Sequence, residues 1–428
     1  MFLIVAAVYG TSPVVTNGDS YLAFPTAVSL VHERNLDLDE FAVPKVQQHY
    51  GIAHYRGHSF DSYPWAVGLF AVPFVLAVDA AHLVGLAPSA PELVRTDRMA
   101  LGQLASASVV TALVALLVFL IAYERLTGTD ERRRRLAVAG ALVFALGTAA
   151  WSTASRALWQ HGPSMLALAV VVLLASRIER GGASSRTAAM LGAAVAAAAV
   201  IRPTNVLVAG ALFVWMALRQ RTRLVAFVAG GGCVGAAWFA VNLLTLGTLI
   251  PYYNSPARRL VLHDKFLEAV AANLVSTGRG LLVFSPVVLL AIAGLKRRHT
   301  LLDGLFAAVV VLQLLVVSAS REAWWAGHSF GPRFMSDIVP LLFCLALPAV
   351  DMAAAWRGVK GVALAAAVVW SIAVNAQGAY LHASACWNIQ PVNVDADPER
   401  VWSLSDPQVI SGWRELVRSP RDAVTGRC

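Results

Sequence analysis

Long runs of apolar residues follow one another along almost the whole chain, and they limit its fold more than any other feature. They lie at 2–15, 65–86, 100–122, 137–152, 163–177, 188–201, 204–218, 224–246, 281–295, 300–318, 337–356 and 361–380. An α-helix needs about 20 apolar residues to cross a bilayer, whereas the strands of a membrane barrel alternate apolar and polar residues. Because the runs are continuous, they predict an all-α polytopic membrane protein.

Composition and charge exclude two other classes of protein. Hydrophobic residues make up 58% of the 428 residues and charged residues only 14%, which leaves too little polar surface for a soluble enzyme. The net charge of +9 comes mainly from arginines in the short breaks between runs, as the positive-inside rule requires of cytoplasmic loops. We therefore expect the lipid bilayer as a partner, and we expect no nucleic acid.

Five basic clusters predict the topology. They are Arg132–Arg135, Arg177 with Arg180 and Arg186, Arg219 with Arg221 and Arg223, Lys296–Arg298, and Arg357 with Lys360. They alternate with the runs if every run from 100 onward crosses the membrane, and all five then lie in the cytoplasm. If the run 2–15 also crosses, residues 17–99 form one large extracytoplasmic loop.

The run 65–86 does not cross the membrane singly in this topology. It contains Pro73, Asp79 and His82, and a charge at the bilayer centre costs about 3 kcal/mol on insertion scales. The prediction is a transmembrane domain over 1–380, with about 11 transmembrane helices and outer juxtamembrane helices, followed by a short extracytoplasmic tail over 381–428. The alternative is that 65–86 crosses and the short run 2–15 does not.

The predicted outer loops are rich in acidic, basic and aromatic residues, which indicates a site at the outer membrane face. ATP and nucleotide sugars are absent there, and the chain has no Walker or dinucleotide-binding pattern. A reaction on that side has to draw on an ion gradient or on an activated, lipid-linked donor. A carboxylate that takes the proton of an acceptor hydroxyl, with arginines that hold a phosphate, suits group transfer from a lipid phosphate.

Four segments resemble the GT-C glycosyltransferases, which are polytopic enzymes that use polyprenyl-phosphate sugars. They are Gly18–Tyr21 after the first run, the stretch from Tyr63-Pro64 to Pro73, Ser276–Pro286 and Gly327–Phe334. Protein O-mannosyltransferases, aminoarabinose transferases and mycobacterial membrane mannosyl- and arabinosyltransferases belong to this superfamily. The resemblance implies that an Asp just past the first helix is the catalytic base, and Asp19 occupies that position. It also implies juxtamembrane helices in the outer loop.

The sequence departs from the superfamily in its acidic residues. Many members have an acidic pair where this chain has Asp19 alone, and Asp37 and Asp39 are typical of a solvated loop surface. A divalent cation therefore has no clear ligand set, and we expect no metal ion or other cofactor to be required. Cys386 and Cys428 could pair if the tail faces an oxidising compartment.

Candidate site residues follow from these patterns, and each has a structural alternative. Arg333, Arg279 and Arg202 are candidates for binding the donor phosphate; the alternatives are a snorkelling anchor for Arg333 and a tight turn for Arg202. Asp19 could instead belong to a turn, because Asn-Gly-Asp-Ser favours turns. Candidates for binding substrate are Tyr21, His58, Tyr63, His161, Trp325 and His328.

The function that we expect is transfer of a sugar, with mannose or arabinose the expected choice, from a polyprenyl phosphate to an acceptor hydroxyl with inversion. The acceptor is a glycolipid, polysaccharide or protein on the extracytoplasmic side of the plasma membrane. The alternative is a lipid or solute transporter, such as a flippase of the cell envelope. A transporter predicts ionisable residues inside the spans and an internal repeat, and neither is prominent in the sequence.

Overall fold

Helices make up 69% of the chain in a computed structural model, which describes residues 1–16, 18–182, 184–254, 261–297, 300–321 and 323–426. In chain order they are α1 (Phe2–Gly10), α2 (Ala23–His32), α3 (Pro44–Gln47), α4 (Val72–Leu83), α5 (Ala90–Arg95), α6 (Ala100–Arg125), α7 (Asp130–Leu146), α8 (His161–Glu179), α9 (Ser185–Ile201), α10 (Val206–Arg219), α11 (Leu224–Thr245), α12 (Phe266–Val275), α13 (Leu281–Phe284), α14 (Leu290–Arg297), α15 (Leu301–Ser318), α16 (Val339–Ala353), α17 (Gly358–Tyr380), α18 (Ala383–Cys386), α19 (Ser411–Arg418) and α20 (Pro420–Thr425). The predicted all-α class is confirmed.

Within the described residues, five helices are long and apolar enough to cross a membrane. They are Ala100–Arg125, His161–Glu179, Arg221–Thr245, Leu301–Ser318 and Gly358–Tyr380. The predicted run 2–15 forms a helix of only 9 residues, α1. The run 281–295 is divided into α13, a 3-10 turn at Pro286–Leu289 and α14. Pro286 explains this break, because it cannot donate a backbone hydrogen bond to a continuing helix.

Ion pairs gather the basic ends of several helices at one end of the bundle, which we call the basic end. The pairs are Arg125–Asp303 at 3.0 Å, Arg132–Asp351 at 2.7 Å and Arg177–Glu124 at 2.6 Å. They join the ends of α6, α7, α8, α15 and α16. Asp303 also closes a capping box with Thr300 at the start of α15, so one carboxylate both begins a helix and links it to α6.

The segment after α1 is held at the opposite end by a buried arginine. Arg156 donates hydrogen bonds to the backbone oxygens of Ser12 (2.8 Å) and Tyr9 (2.5 Å). The Tyr9 hydroxyl in turn donates to the Ala145 oxygen at 2.7 Å. These bonds supply donors to carbonyl groups at and just beyond the end of α1, and they fix the path of the chain toward Asp19.

The first large loop contains α2 to α5 and a two-stranded hairpin that the sequence analysis did not predict. Its strands, β1 (Ile52–Tyr55) and β2 (His58–Asp61), are antiparallel. Arg56 and Gly57 form the turn with φ values of 50° and 86°, as a two-residue hairpin turn requires. The predicted run 65–86 becomes a 3-10 helix at Trp65–Phe70 and α4, which has 12 residues.

The predicted disulfide between Cys386 and Cys428 lies outside the described residues, because Cys428 is not among them.

Candidate functional site

A small cavity, open to the surface, lies at the end of the bundle opposite the basic end, and we call this the cavity end. Six segments contribute to its walls: the chain after α1, the chain after β2, the start of α8, the end of α9, the chain after α11 and the segment before α16. The lining side chains include Asp19, Ser20, Asp61, Tyr63, Trp159, Gln160, His161, Arg202, Tyr253, Arg333 and Phe334. The cavity therefore combines acidic, basic and aromatic groups from distant parts of the chain.

An ion pair between Asp19 and Arg333 forms the charged part of the cavity. Arg333 Nη1 donates to Asp19 Oδ2 at 3.0 Å, and the Tyr50 hydroxyl donates to Asp19 Oδ1 at 2.6 Å. The Arg333 guanidinium lies over the Trp159 ring, 4.5 Å from its centroid. Its Nε is buried and has no hydrogen-bond partner among the described residues. One donor of Arg333 is thus left for another anion.

Gly331 allows the turn that presents Arg333. Its φ is +63°, and a Cβ at this position would lie 2.6 Å from the Phe284 ring. Glycine adopts this conformation without steric cost, whereas an L side chain would be strained and would also clash with Phe284. Pro332 follows, and a short 3-10 helix at Arg333–Met335 directs the arginine toward Asp19.

The environment of Asp19 favours its charged form. Burial by itself raises the pKa of the carboxyl group, but the Arg333 charge and hydrogen bonds from Tyr50 and Tyr63 outweigh it and lower the pKa below its ordinary value. Asp19 is therefore ionised at neutral pH.

A second carboxyl group in the cavity has the opposite tendency. Asp61 ends β2, and its Oδ1 accepts the backbone N–H of Tyr63 at 2.9 Å. Burial and the nearby charge of Asp19 raise the pKa of Asp61 to about 8, so this carboxyl group is mainly protonated at neutral pH. Two acids with pKa values on opposite sides of neutrality can perform different roles in one site.

In the wall of the cavity, two lining residues, His161 and Arg202, form a buried cluster with Asp337. Arg202 Nε lies 2.5 Å from Asp337 Oδ2, and His161 Nδ1 lies 3.2 Å from both oxygens of Asp337. The three side chains come from the end of α9, the segment before α16 and the start of α8. The cluster joins these helix ends, and Asp337 compensates the charge of Arg202.

Five of the predicted site residues line the cavity together: Asp19, Tyr63, His161, Arg202 and Arg333. Four others lie elsewhere. Tyr21 donates to Asp97, His58 pairs with Asp39, Trp325 donates to Asp395, and His328 pairs with Asp395. The last two pairs lie on a surface formed with the C-terminal tail.

Arg279 is also outside the cavity, and its side chain is completely buried. It donates to the backbone oxygens of Trp325 (2.5 Å) and Gly327 (2.8 Å) and to the side chains of Gln408 (2.5 Å) and Asn388 (2.9 Å). The guanidinium binds the outer loops to the tail, and this arrangement directs no donor into the cavity.

The sequence analysis missed several residues of the site: Tyr50, Asp61, Trp159, Gln160, Tyr253 and Asp337. For Asp337, a signal was available in the chain, since it is an acidic residue at the start of a predicted span, where an unpaired charge is costly. The others lie in polar loops, where nothing local distinguishes a residue facing the cavity from one facing solvent.

One group within the described residues could hold a metal ion. The ligand atoms of Asp37, Asp39 and His58 lie within 4.8 Å of one another. This group is on the outer side of the hairpin, Asp39 and His58 are exposed, and none of the three lines the cavity.

No protein-family model, no curated protein and no solved structure matches this chain. The chemistry that the cavity supports therefore depends on its residues. An ionised carboxylate can accept a proton, a guanidinium with a remaining donor can bind a phosphate, and the aromatic walls provide apolar faces for a sugar ring.

Proposed function

We propose that this protein is an integral-membrane glycosyltransferase of the GT-C type, which transfers a sugar from a polyprenyl phosphate to an acceptor hydroxyl. The main support is the ion pair between Asp19 and Arg333 in a cavity with aromatic walls, at the end of the bundle opposite the basic clusters. These two side chains combine a proton acceptor and a phosphate ligand in one site.

The proposed topology has about 11 transmembrane segments. The described helices α7, α9, α10 and α16 have 14 to 17 residues each, and a 17-residue helix is about 26 Å long. Each extends between the basic end and the cavity end, which supports counting them with the five longer helices. The positive-inside rule assigns the basic end to the cytoplasm, so the cavity faces the extracytoplasmic side of the plasma membrane.

In the proposed reaction, the acceptor hydroxyl oxygen attacks the anomeric carbon of the donor sugar. The bond between this carbon and the phosphate oxygen breaks, and polyprenyl phosphate leaves with the bonding electrons. The hydroxyl proton passes to the Asp19 carboxylate. Arg333 compensates the charge that develops on the leaving phosphate. A single displacement of this kind inverts the anomeric configuration.

The ion pair also explains how donor binding could activate the base. Within the described residues the Nε of Arg333 has no hydrogen-bond partner, and we assign the first hydrogen bond to an incoming phosphate to this guanidinium. When the phosphate binds Arg333, the attraction between Arg333 and Asp19 weakens. The pKa of Asp19 then rises toward its ordinary value. Asp19 is then a stronger base in the presence of donor.

The other lining residues support binding. Tyr63 and Gln160 offer polar groups to the hydroxyls of a sugar. Arg202 lines the same cavity, but Asp337 compensates its charge, so we assign Arg202 and His161 to positioning the cavity wall through their shared contact with Asp337. The acceptor, whether glycolipid, polysaccharide or protein, approaches from the outer loops.

The position of charged residues disfavours the transporter alternative. In the described part of the five long helices, the Asp, Glu, Lys and Arg residues lie in the end turns: Glu124, Arg125, Arg177, Glu179, Arg221, Arg223, Asp303 and Lys360. A transporter that moves a polar solute or headgroup needs ionisable residues along its path through the bilayer. An enzyme at one membrane face does not.

The proposal is tested by sugar transfer in reconstituted vesicles. Purified protein is supplied with radiolabelled polyprenyl-phosphate sugars, one at a time, and with membrane extract as the source of acceptor. We expect transfer by the wild type and none by Asp19→Asn, which cannot accept the proton. Asp39→Asn is the matched control, because Asp39 is exposed and outside the cavity.

Three results are informative. If wild type and Asp39→Asn transfer sugar and Asp19→Asn does not, the result supports both the enzyme class and the assignment of Asp19 as the base. Transfer by Asp19→Asn at the wild-type rate contradicts the assignment of the base. If wild type binds a polyprenyl-phosphate sugar but transfers it to no acceptor, while it moves labelled lipid between the leaflets, the transporter alternative is correct.

A further inference from the structure

The C-terminal tail contains an amphipathic helix, α19, with an apolar side that the described protein covers only in part. Ile410, Trp413 and Val417 recur at the spacing of one helix face, and 38%, 38% and 86% of these residues is exposed. Glu415 lies on the opposite face, and Arg418 lies about 100° around the helix from Val417, at the edge of the polar side. An exposed apolar face of this kind, in a tail of mixed polarity, indicates a site that contacts another protein or a membrane.

Two contacts attach α19 to the side of α17. Trp413 Nε1 donates to the backbone oxygen of Ala373 at 3.0 Å. The side-chain oxygen of Gln377 accepts the backbone N–H groups of Gly412 (2.9 Å) and Trp413 (3.3 Å). The first turn of α19 is therefore held against the last two turns of α17.

These contacts define the depth of α19 relative to the membrane. With 23 residues, α17 is about 35 Å long, whereas the hydrocarbon layer is about 30 Å thick. Ala373 precedes the last residue of α17, Tyr380, by seven positions, or about 10 Å along the helix axis. The indole of Trp413 thus lies below the level at which α17 leaves the hydrocarbon layer.

The apolar surface of α19 also continues an apolar surface of α17. Val369 and Trp370, one turn below Ala373, are exposed on α17, and in a membrane-crossing helix such residues contact lipid. The exposed side of α19 adjoins this lipid-facing surface. The exposed sides of α17 and α19 can therefore contact the same medium, which is the lipid bilayer.

We propose that α19 is an interfacial helix, which lies in the membrane surface at the cavity end with Trp413 and Val417 in the acyl region. Arg418, on the polar side, then reaches the level of the lipid phosphates. Trp at the interface and Arg on the polar face are typical of helices that lie in this plane. The inference rests on the proposed crossing of α17, and it does not depend on glycosyl transfer.

The interfacial position has a consequence for the cavity. Gln408, just before α19, accepts the backbone N–H of Gly331 at 3.1 Å and donates to the Ser329 oxygen at 2.9 Å. Gly331 is two residues from Arg333. The helix in the membrane surface is thus linked through one side chain to the loop that carries Arg333, which fixes the height of this arginine relative to the lipid phosphates.

Spin labels on adjacent residues test the proposal. Val417→Cys and Arg418→Cys are made in full-length protein with Cys233, exposed on α11, replaced by Ala, and are labelled and reconstituted into phosphatidylcholine vesicles. Both side chains are exposed, so neither label disturbs a packed contact. Collision rates are measured with oxygen, which concentrates in the acyl region, and with a water-soluble nickel complex. Val369→Cys on α17 and Glu33→Cys in the first loop are the references for lipid and water.

We expect a several-fold higher ratio of oxygen to nickel collisions at 417 than at 418, with 417 close to the value at 369. Equal ratios at 417 and 418, both close to the value at 33, would overturn the proposal. A value at 369 that matches water would overturn it as well, because α17 would then not be lipid-facing. Neither measurement uses sugar transfer, so failure of the proposed enzymatic function would leave these results unchanged.

Discussion

Asp19 and Arg333 are 314 positions apart in the chain, and their side chains form an ion pair of 3.0 Å in the wall of the cavity. The carboxylate is partly exposed, whereas the guanidinium is buried under Trp159. Such an arrangement keeps the arginine rigid and leaves the carboxylate accessible from the cavity. It is the arrangement required if the arginine binds a lipid phosphate and the carboxylate accepts a proton.

Replacing Arg333 should strongly reduce activity, while the amount of protein inserted in the membrane should change little. We expect Arg333→Gln to lower kcat/KM for the donor by about 100-fold or more, the usual effect of removing a group that stabilises a developing charge. Arg333→Lys should recover only part of this, because an ammonium cannot stack on Trp159 or donate from two directions as a guanidinium does. Steady-state transfer in vesicles measures both.

The control is Arg98→Lys, since Arg98 is exposed between α5 and α6 and does not line the cavity. It should retain wild-type kinetics. If Arg333→Lys is as active as Arg98→Lys, Arg333 contributes only a general positive charge.

The pH dependence of transfer should show the different pKa values of the two cavity carboxyl groups. The pKa of Asp61 is raised to about 8, so the group is neutral below this pH and becomes negative above it. A second negative charge beside ionised Asp19 repels an anionic donor, and kcat/KM should fall as the pH rises through about 8. The profile from pH 5 to 10 measures this.

Asp61→Asn stays neutral throughout and should therefore lose the decline at alkaline pH. Asp39→Asn, which changes an exposed carboxylate outside the cavity, should retain it. An alkaline decline that is identical in wild type and Asp61→Asn would assign it to another group.

The parts of the fold that could be predicted are those with a local cause. An apolar run and its flanking arginines are contiguous, so the all-helical class followed from the sequence alone. The hairpin turn at Arg56-Gly57 was missed because it requires a positive φ at Arg56, and positive φ is uncommon for residues other than glycine. Asp19 and Arg333 were proposed for one site from their chemistry, and the structure brings them together.

What could not be predicted depends on contacts between distant segments. Arg279, between two glycines, was also a candidate phosphate ligand, second to Arg333. Only the folded tail shows that Gln408 and Asn388 occupy its donors. Likewise, Asp337 compensates Arg202 because the ends of α9 and α16 meet, and neither sequence neighbourhood indicates the other.

Breaking the buried cluster of His161, Arg202 and Asp337 should reduce stability strongly. Asp337→Asn leaves the buried charge of Arg202 without a counter-ion, which typically costs about 3–5 kcal/mol. Asp97→Asn removes the exposed pair with Lys45, where the loss should be about 1 kcal/mol or less. Thermal unfolding in detergent should show a large decrease in Tm for the first variant and almost none for the second. Similar decreases would mean that Asp337 contributes no more than a surface charge.

The packing of α9 against α11 gives the most closely matched comparison, because two glycines of one run face different surroundings. A Cβ on Gly230 would lie 2.0 Å from the backbone oxygen of Ala189, whereas one on Gly232 would meet nothing within 4 Å. Gly230→Ala should therefore separate the two helices and lower Tm. Gly232→Ala should leave Tm unchanged or raise it slightly, since alanine favours a helix over glycine by about 1 kcal/mol. Unfolding curves of both variants in the same detergent decide the matter: equal Tm values would show that the helices do not make this close contact in the membrane protein.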